Sequence, residues 1–336
     1  MEAGRTGRHR PVAHHPVKHA ALVGLLAFVA GVAGYPWLTT QLARRGAGQR
    51  VQSYSPQSHM IKMGTPTMGG LLFCAITLAA CLVFDRTRIG FVVVFALCAG
   101  ALVGVLDDRD NVRGRGVFGL GAYQKIGFQA FVGLLVGIGL DIVGATRQLF
   151  PGLGAPDLHG AGIILVSILA VIAVSNAVNL TDGVDGLAAG CSLVVFAGLL
   201  AVALHQHALP VVIVSAALVG ALAAFLVFNW FPARIFMGDT GSLALGCALV
   251  AAAAELHLLW FLPLMGIVFV AETLSVIINV TVIRRFHRRL LRASPLHHHF
   301  EELGLRERRL VACFVAAAAA GTLLTVLYAR SRGAVA

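Results

Sequence analysis

The amino-acid sequence predicts an all-α, polytopic integral membrane protein with about ten transmembrane helices. The first reason is composition: 58% of the 336 residues are hydrophobic and only 12% are charged, whereas soluble domains carry about 25% charged residues. The second reason is that nearly uncharged runs of bilayer length recur along the chain. A chain this apolar cannot cover a globular surface with polar groups, so part of its solvent must be lipid.

Ten apolar runs account for the predicted helices. A membrane-spanning helix needs roughly 17–25 residues, so the two shortest runs, 126–140 and 240–254, must extend into their flanks. The run 20–43 is longer than the apolar core of a signal peptide, roughly 7–15 residues, and is predicted as the first membrane helix. In order, the runs are 20–43, 65–84, 89–106, 126–140, 160–180, 186–204, 208–230, 240–254, 258–283 and 310–329.

Charge placement separates the two sides of the membrane. The net charge is +11, and the basic residues lie mostly in the short loops that follow alternate runs, beginning with the first. The positive-inside rule explains this pattern better than nucleic-acid binding and predicts that these loops are cytoplasmic. Residues 1–19 form a basic tail that opposes this orientation, and residues 20–330 form a single transmembrane domain. The six cysteines lie in apolar runs and show no metal-type spacing.

The loops predicted to be cytoplasmic also contain most of the unusual polar residues. Five of the nine aspartates lie at these helix ends, several beside glycine. An acid at the membrane boundary is by default a functional hypothesis. The loops contain, in order, KMGTPTMGG at 62–70, Asp107 and Asp108, NAVNLTDGVDG at 176–186, Asn229 with FMGDTGS at 236–242, and PLHHHFE at 295–301.

This combination of residues favours phosphoryl transfer. Oxygen ligands without thiolates suit Mg²⁺, which binds one or two carboxylates together with substrate phosphate. Glycines allow the backbone to approach a bulky anion, and lysine supplies a point charge for phosphate. Phosphoryl transfer needs mainly such positioning and charge stabilisation. No Walker A, GxSxG or HExxH pattern occurs, which argues against the ATPase and hydrolase classes.

The motifs resemble those of the polyprenyl-phosphate N-acetylhexosamine-1-phosphate transferase superfamily, and most closely its phospho-N-acetylmuramoyl-pentapeptide-transferase branch. Six motifs occur in the expected order, which makes the resemblance specific, and the histidine motif favours this branch over its relatives. They are KMGTPTMGG at 62–70, Asp107 with Asp108, NAVNLTDGVDGLA at 176–188, IFMGDTGS at 235–242, AETLSVI at 271–277 and PLHHHFE at 295–301.

The resemblance implies that the domain is a catalytic one with ten helices, in the bacterial plasma membrane. It implies transfer of phospho-N-acetylmuramoyl-pentapeptide from a UDP carrier to undecaprenyl phosphate, which gives lipid I and UMP for peptidoglycan biosynthesis. It also implies an active site on the cytoplasmic face, Mg²⁺ as cofactor, contact with membrane lipid and a homodimer.

Catalytic and metal-binding roles also follow from the resemblance. Asp239 matches the family's metal ligand, and Asn179 is expected to offer its amide oxygen to the metal or the diphosphate. Asp107 and Asp108 cannot share one helix face: one is expected to act as a base, the other to lie near the metal or act as a nucleophile. Direct attack by the lipid phosphate is favoured, because a phosphate monoester with a second pKa of about 6 is already ionised. His297 is the remaining catalytic candidate.

The substrate-binding candidates surround these residues. Lysines are expected to bind phosphate, the two aspartates of the DGVDG turn to face the uridine and the sugar phosphate, and a phenylalanine to stack on uracil. Each also has an ordinary alternative, such as a turn, a helix cap or a membrane-interface side chain. The candidates are Lys62, Thr67, Lys125, Asn179, Asp182, Asp185, Asn229, Phe236 and His298.

Two positions depart from the family pattern: Asn111 replaces a usual lysine and Asn279 a usual glutamine. Both positions are associated in the family with the nucleotide part of the donor. A related transferase with another UDP-N-acetylhexosamine donor is therefore an alternative. A transporter is a third, but transporters place ionisable groups near the midplane and show inverted repeats, and neither feature is visible here.

Overall fold

The computed structural model describes residues 16–46, 64–113, 120–152 and 154–331. Within these ranges the regular secondary structure is helical, and isolated bridges, among them Arg147 to Asp157 and Phe150 to Gly154, occur in the loops. The all-α prediction is confirmed. The helices are α1 (Pro16–Arg44), α2 (Gly70–Phe84), α3 (Arg88–Arg113), α4 (Ala122–Val143), α5 (Ala161–Thr181), α6 (Leu187–His205), α7 (Leu209–Asn229), α8 (Gly238–Glu255), α9 (Leu262–Met265), α10 (Ile267–Phe286), α11 (Leu296–Glu302) and α12 (Glu307–Ser331), with a 3₁₀ turn at Leu259–Phe261.

Eight helices in the described ranges are long and apolar enough to cross a membrane: α1, α3, α4, α5, α6, α7, α10 and α12. Helix α2 is apolar but shorter, with 15 residues. Helix α8 begins with the polar segment Gly-Asp-Thr-Gly-Ser, and its residues from Thr240 to Ala254 are buried. Each of the ten predicted runs therefore forms helix, and the prediction of a polytopic membrane protein is confirmed.

Helix α8 lies at the centre of the bundle, where it packs against α2, α3 and α5. Glycines make this close packing possible. A methyl group at Gly104 of α3 would overlap the carbonyl of Asp239, and one at Gly246 of α8 would overlap the backbone of Ser175 in α5. The close contact at Gly104 brings the start of α8 beside the end of α3, next to Asp107 and Asp108.

Backbone hydrogen bonds join the start of the second predicted run to the residues that precede the eighth. The Phe236 N–H donates to the Pro66 carbonyl at 2.8 Å, the Gly69 N–H to Phe236 at 2.8 Å and the Gly70 N–H to Met237 at 3.0 Å. Helix α2 therefore begins at Gly70, five residues later than the run predicted from residue 65.

Helix α1 instead begins early, at Pro16 within the predicted tail, because proline suits a first helical turn. Residues 1–15 lie outside the described ranges.

The predicted run 258–283 is broken rather than continuous. The 3₁₀ turn and the short helix α9 precede a break at Gly266, and α10 continues from Ile267. Pro263 lies in the first turn of α9, where its missing N–H is tolerated. A methyl group at Gly266 would lie 2.9 Å from a ring carbon of Phe269 and 3.0 Å from the Leu262 carbonyl oxygen, so the bend requires glycine.

Candidate active site

Four helix ends meet at one end of the bundle. Asp107 and Asp108 lie near the end of α3, Lys125 in the first turn of α4, Asn179 in the last turn of α5 and Asp239 in the first turn of α8. Their side chains are joined by hydrogen bonds and ion pairs. The structure thus brings together the acids of two sequence motifs, the amide of a third and Lys125, all of them predicted site residues.

The Lys125 ammonium is the centre of this cluster. Its Nζ lies 2.6 Å from Asp239 Oδ2 and 2.9 Å from Asp107 Oδ2. It also donates to the amide oxygen of Asn179 at 3.3 Å. The Lys125 side chain is only 16% exposed. One cation thus contacts oxygens from three helices, and it offsets charge that two neighbouring carboxylates would otherwise leave uncompensated.

Asn179 fixes the orientation of Asp239. Its amide nitrogen donates to Asp239 Oδ1 at 2.8 Å and to the hydroxyl of Ser242 at 2.9 Å. Its amide oxygen therefore faces Lys125. Ser242 was not among the predicted site residues, although its position in the GDTGS motif one helical turn after Asp239 was a usable signal.

Adjacent aspartates have separate contacts, as the sequence predicts. Asp107 accepts from the Leu120 N–H at 2.7 Å through Oδ1 and pairs with Lys125 through Oδ2. Asp108 accepts from the backbone N–H groups of Asp239 at 3.1 Å and Thr240 at 2.9 Å, and from the Thr240 hydroxyl at 2.7 Å. Asp108 thus caps the N-terminus of α8 from a neighbouring helix, where a negative charge is favourable.

The oxygens around Lys125 fit a magnesium site by their chemistry. Two carboxylates and one amide converge on a single point that already holds a positive charge. No group of three or more His, Cys, Asp or Glu side chains forms a metal cluster within the described residues. Mg²⁺ keeps several waters and completes its shell with substrate phosphate, so a partial protein ligand set suits it. Asp239 and Asn179 are the residues placed to hold it, with Asp107 beside them.

The DGVDG turn is tied to the loop that precedes α8. Asp185 Oδ2 accepts from the Ala233 N–H at 2.9 Å. The amide of Asn229 accepts from Gly186 at 3.0 Å and donates to the Ile235 carbonyl at 2.9 Å. Asn229 is buried and both ends of its amide bind backbone, so in this structure it shapes the site. Its contact with substrate stays a prediction, as do those of Asp182 and Asp185.

Thr67 and Phe236 lie beside the cluster. A methyl group at Gly238 would lie 2.8 Å from the Thr67 hydroxyl oxygen and 2.6 Å from Asp108 Oδ2, so Thr67 borders the start of α8. Phe236 is half-buried and is joined to Pro66 by a backbone hydrogen bond. The predicted phosphate ligand Lys62 lies outside the described residues, as does the side chain of Asn111.

The histidine motif forms the short helix α11. His297 is buried, and its contacts run to Glu272 of α10 and to Gly183 in the DGVDG turn. The half-exposed ring of His298 lies 2.7 Å from Glu301 Oε2 through Nδ1. Sequence reasoning gave Glu272 no partner, because its partner His297 lies 25 residues further along the chain and no spacing rule links the two.

Asn279 supports the loop that leads to this motif. Its amide oxygen accepts from the N–H groups of Leu290 and Leu291, both at 3.2 Å, and its nitrogen donates to Ser294 at 3.2 Å. It is buried in this position. The residue that departs from the family pattern therefore fixes the loop between α10 and α11.

Comparison with known proteins agrees with this geometry. The model of glycosyl transferase family 4 matches residues 90–257, and signature 1 of the phospho-N-acetylmuramoyl-pentapeptide-transferases matches residues 62–74. The phospho-N-acetylmuramoyl-pentapeptide-transferase of Moorella thermoacetica is 43% identical over 300 residues, 88% of this chain and 93% of the relative. That of Heliobacterium modesticaldum is 40% identical over 308 residues, 91% of this chain and 96% of the relative. That of a Thermoanaerobacter species is 38% identical over 294 residues, 87% and 93% of the two chains. The chain therefore belongs to the phospho-N-acetylmuramoyl-pentapeptide-transferases of glycosyl transferase family 4.

Proposed function

We propose that the protein transfers phospho-N-acetylmuramoyl-pentapeptide from its UDP carrier to undecaprenyl phosphate, with lipid I and UMP as products. The observation that carries the proposal is the cluster of Asp107, Lys125, Asn179 and Asp239, where four helix ends converge. A compact set of acids, an amide and one cation suits the binding of a diphosphate with a divalent cation. The names of the relatives supply the sugar and peptide part of the donor.

In this proposal Asp239 and Asn179 hold Mg²⁺, which when bound neutralises charge on the diphosphate. Lys125 leaves the carboxylates and turns its ammonium toward phosphate, a move that its flexible four-carbon side chain permits. Asp108 keeps the N-terminus of α8 in place, so that the positive end of the helix dipole stays beside the anion.

The proposed chemistry is a single displacement. An ionised oxygen of the lipid phosphate attacks the phosphorus that bears the sugar, a new P–O bond forms, and the P–O bond to UMP breaks with its electron pair on UMP. Asp107 accepts a residual proton from the lipid phosphate where one is present. No strong base is needed, because a phosphate monoester is largely ionised at neutral pH.

The proposed setting is the plasma membrane of a bacterium, with the cluster at the cytoplasmic face and the protein as a homodimer. The basic loops at the cluster's end of the bundle support this orientation. A lipid acceptor reaches such a site from within the bilayer, whereas a nucleotide donor reaches it from water. A site at the boundary is accessible to both.

The test uses purified full-length protein with undecaprenyl phosphate and Mg²⁺. UMP release is measured with UDP-N-acetylmuramoyl-pentapeptide and, separately, with UDP-N-acetylglucosamine. We expect magnesium-dependent UMP and a lipid-linked product with the pentapeptide donor. UMP release with the second donor alone would instead support the alternative transferase, for which the replacement at Asn279 is the supporting observation. Inactivity of folded protein with both donors would refute the proposed function.

A further inference from the structure

Glu272 is a buried acid that the proposed reaction does not use. It lies in α10 and is 0% exposed. A carboxylate in an apolar bundle is costly unless it is paired or hydrogen-bonded. The Glu272 carboxylate therefore needs a partner inside the bundle, and its position in a membrane helix calls for a functional explanation.

The partner is His297. Glu272 Oε2 accepts from the backbone N–H of His297 at 3.3 Å, and the same oxygen lies 3.2 Å from the ring Nδ1. His297 itself is 1% exposed. One carboxylate oxygen thus holds both the backbone at the start of α11 and the ring of its first histidine, although the ring nitrogen is not aligned for a full hydrogen bond.

The other ring nitrogen lies against the DGVDG turn. His297 Nε2 has no hydrogen-bond partner within the described residues. A methyl group at Gly183 would overlap this atom, so Nε2 lies against the backbone of the DGVDG turn. That turn begins three residues after Asn179, which binds Asp239. A buried ring nitrogen without a partner, beside a glycine, is suited to receive a group from the substrate.

We propose that Glu272 is a positioning residue that acts through His297, an inference that rests on the proposed function. It holds the proton on Nδ1, so that the free electron pair of Nε2 accepts a hydrogen bond from a hydroxyl or amide group of the donor near Gly183. A carboxylate that orients a histidine in this way sets which nitrogen contacts the substrate.

The kinetic test compares Glu272→Gln with Glu255→Gln. Glu255 is a half-buried acid, and one of its oxygens has no hydrogen-bond partner in the part of the chain that the structure describes. It ends α8 far along that helix from Asp239, so its variant controls for the loss of an enclosed carboxylate. With the pentapeptide donor, we expect kcat of the Glu272 variant to fall about 10–100-fold, the usual cost of losing a group that orients a functional histidine. KM should change little, and the Glu255 variant should keep wild-type kinetics.

A double-mutant cycle separates this role from a structural one. If Glu272 acts through His297, Glu272→Gln combined with His297→Gln should lose no more kcat than His297→Gln alone. A double variant whose loss is the product of the two single losses would overturn the proposal. So would a folded Glu272 variant with wild-type kcat.

A second measurement is made on the wild-type protein and requires no enzymatic activity. ¹⁵N NMR of histidine-labelled wild-type protein reports the protonation of the ring nitrogens of all 13 histidines, and His297→Gln identifies the signal. We expect the proton of the His297 ring to lie on Nδ1, the nitrogen that faces Glu272. A ring with the proton on Nε2 alone would overturn the proposal even if the protein proved inactive with this donor, whereas inactivity alone would refute only the proposed function.

Discussion

Lys125 neutralises two carboxylates from a position that a divalent cation is proposed to take. Its ammonium lies within 3.3 Å of oxygens from Asp107, Asn179 and Asp239. Charges brought together in a partly buried site need such compensation, because leaving them unpaired is costly. In the proposed function the lysine and the metal would therefore compete for the same oxygens.

Replacement of Lys125 should make this competition visible. In Lys125→Gln the carboxylates lose their internal counter-charge, so we expect Mn²⁺, as a probe for Mg²⁺, to bind about tenfold more tightly, equivalent to about 1.4 kcal/mol. Turnover should fall, because the ammonium is also proposed to contact phosphate. Electron paramagnetic resonance titration of free Mn²⁺ measures the affinity. Lys18→Gln in α1 is the control, and weaker Mn²⁺ binding by the Lys125 variant would contradict the prediction.

The two adjacent aspartates should respond differently to the loss of charge. Asp108→Asn weakens the cap of α8, so we expect a loss of about 1 kcal/mol in the free energy of unfolding together with lower activity. Asp107→Asn keeps an acceptor for the Leu120 N–H and should lower kcat without this loss of stability. Thermal unfolding and UMP release, measured on both variants, test the difference. Equal destabilisation by the two changes would argue against the capping role.

At this scale the sequence located the residues of the cluster but not their contacts. Asp107, Asn179 and Asp239 each lie at a helix end and come together in the structure, while their roles in catalysis and metal binding stay predictions. The cap made by Asp108 and the pairing of Glu272 with His297 depend on which helices pack together. Tertiary contacts between distant segments leave no periodic signal in the sequence.

Helix α8 depends on small residues in its neighbours. We expect Gly104→Ala to destabilise the protein by about 1–3 kcal/mol, the usual range for overpacking, and to reduce activity, because the added methyl group meets the Asp239 carbonyl. Gly127 in α4 is a matched control: no atom lies within 4 Å of a methyl group added there, and alanine favours helix. Unfolding temperature and UMP release are measured for both. A neutral Gly104 variant would show that α3 and α8 can separate without loss of function.

Element boundaries differ from the predicted ones where backbone contacts intervene. The run from residue 65 contains good membrane residues, but the segment before Gly70 pairs with Phe236 and Met237 and is not helical. The predicted run 258–283 is broken at Gly266, where an added methyl group would crowd the Leu262 carbonyl oxygen. Hydropathy averages over such features, so it predicts that a helix exists better than where it begins.

For the whole molecule, composition alone was sufficient to predict the class. A chain with 12% charged residues has few alternatives to a helical membrane bundle. Composition could not predict which helices pack together. Helix α8 lies at the centre although it is one of the least hydrophobic helices.

Orientation in the membrane is testable with single cysteines in a background without the native six. Arg234 adjoins Ala233, which contacts Asp185 at the cluster's end, whereas His159 lies just before the start of α5. The 21 residues of α5 span about 30 Å, close to the thickness of the hydrocarbon core. We expect a membrane-impermeant maleimide to modify Arg234→Cys only from the cytoplasmic side and His159→Cys only from outside. The reverse pattern would invert the proposed topology.

Because α8 is enclosed by other helices, changes in bilayer thickness should have little effect on the proposed reaction site. Lipid-facing helices tilt or shift when hydrocarbon thickness changes, but residues 240–254 are buried within the bundle. Asp239 is carried by this shielded helix and is anchored to α3 and α5 by polar contacts at its start. The spacing of Asp107, Asn179 and Asp239 should therefore depend little on acyl-chain length. In the proposed reaction the surrounding membrane then governs the supply of the lipid acceptor and leaves the geometry of its conversion unchanged.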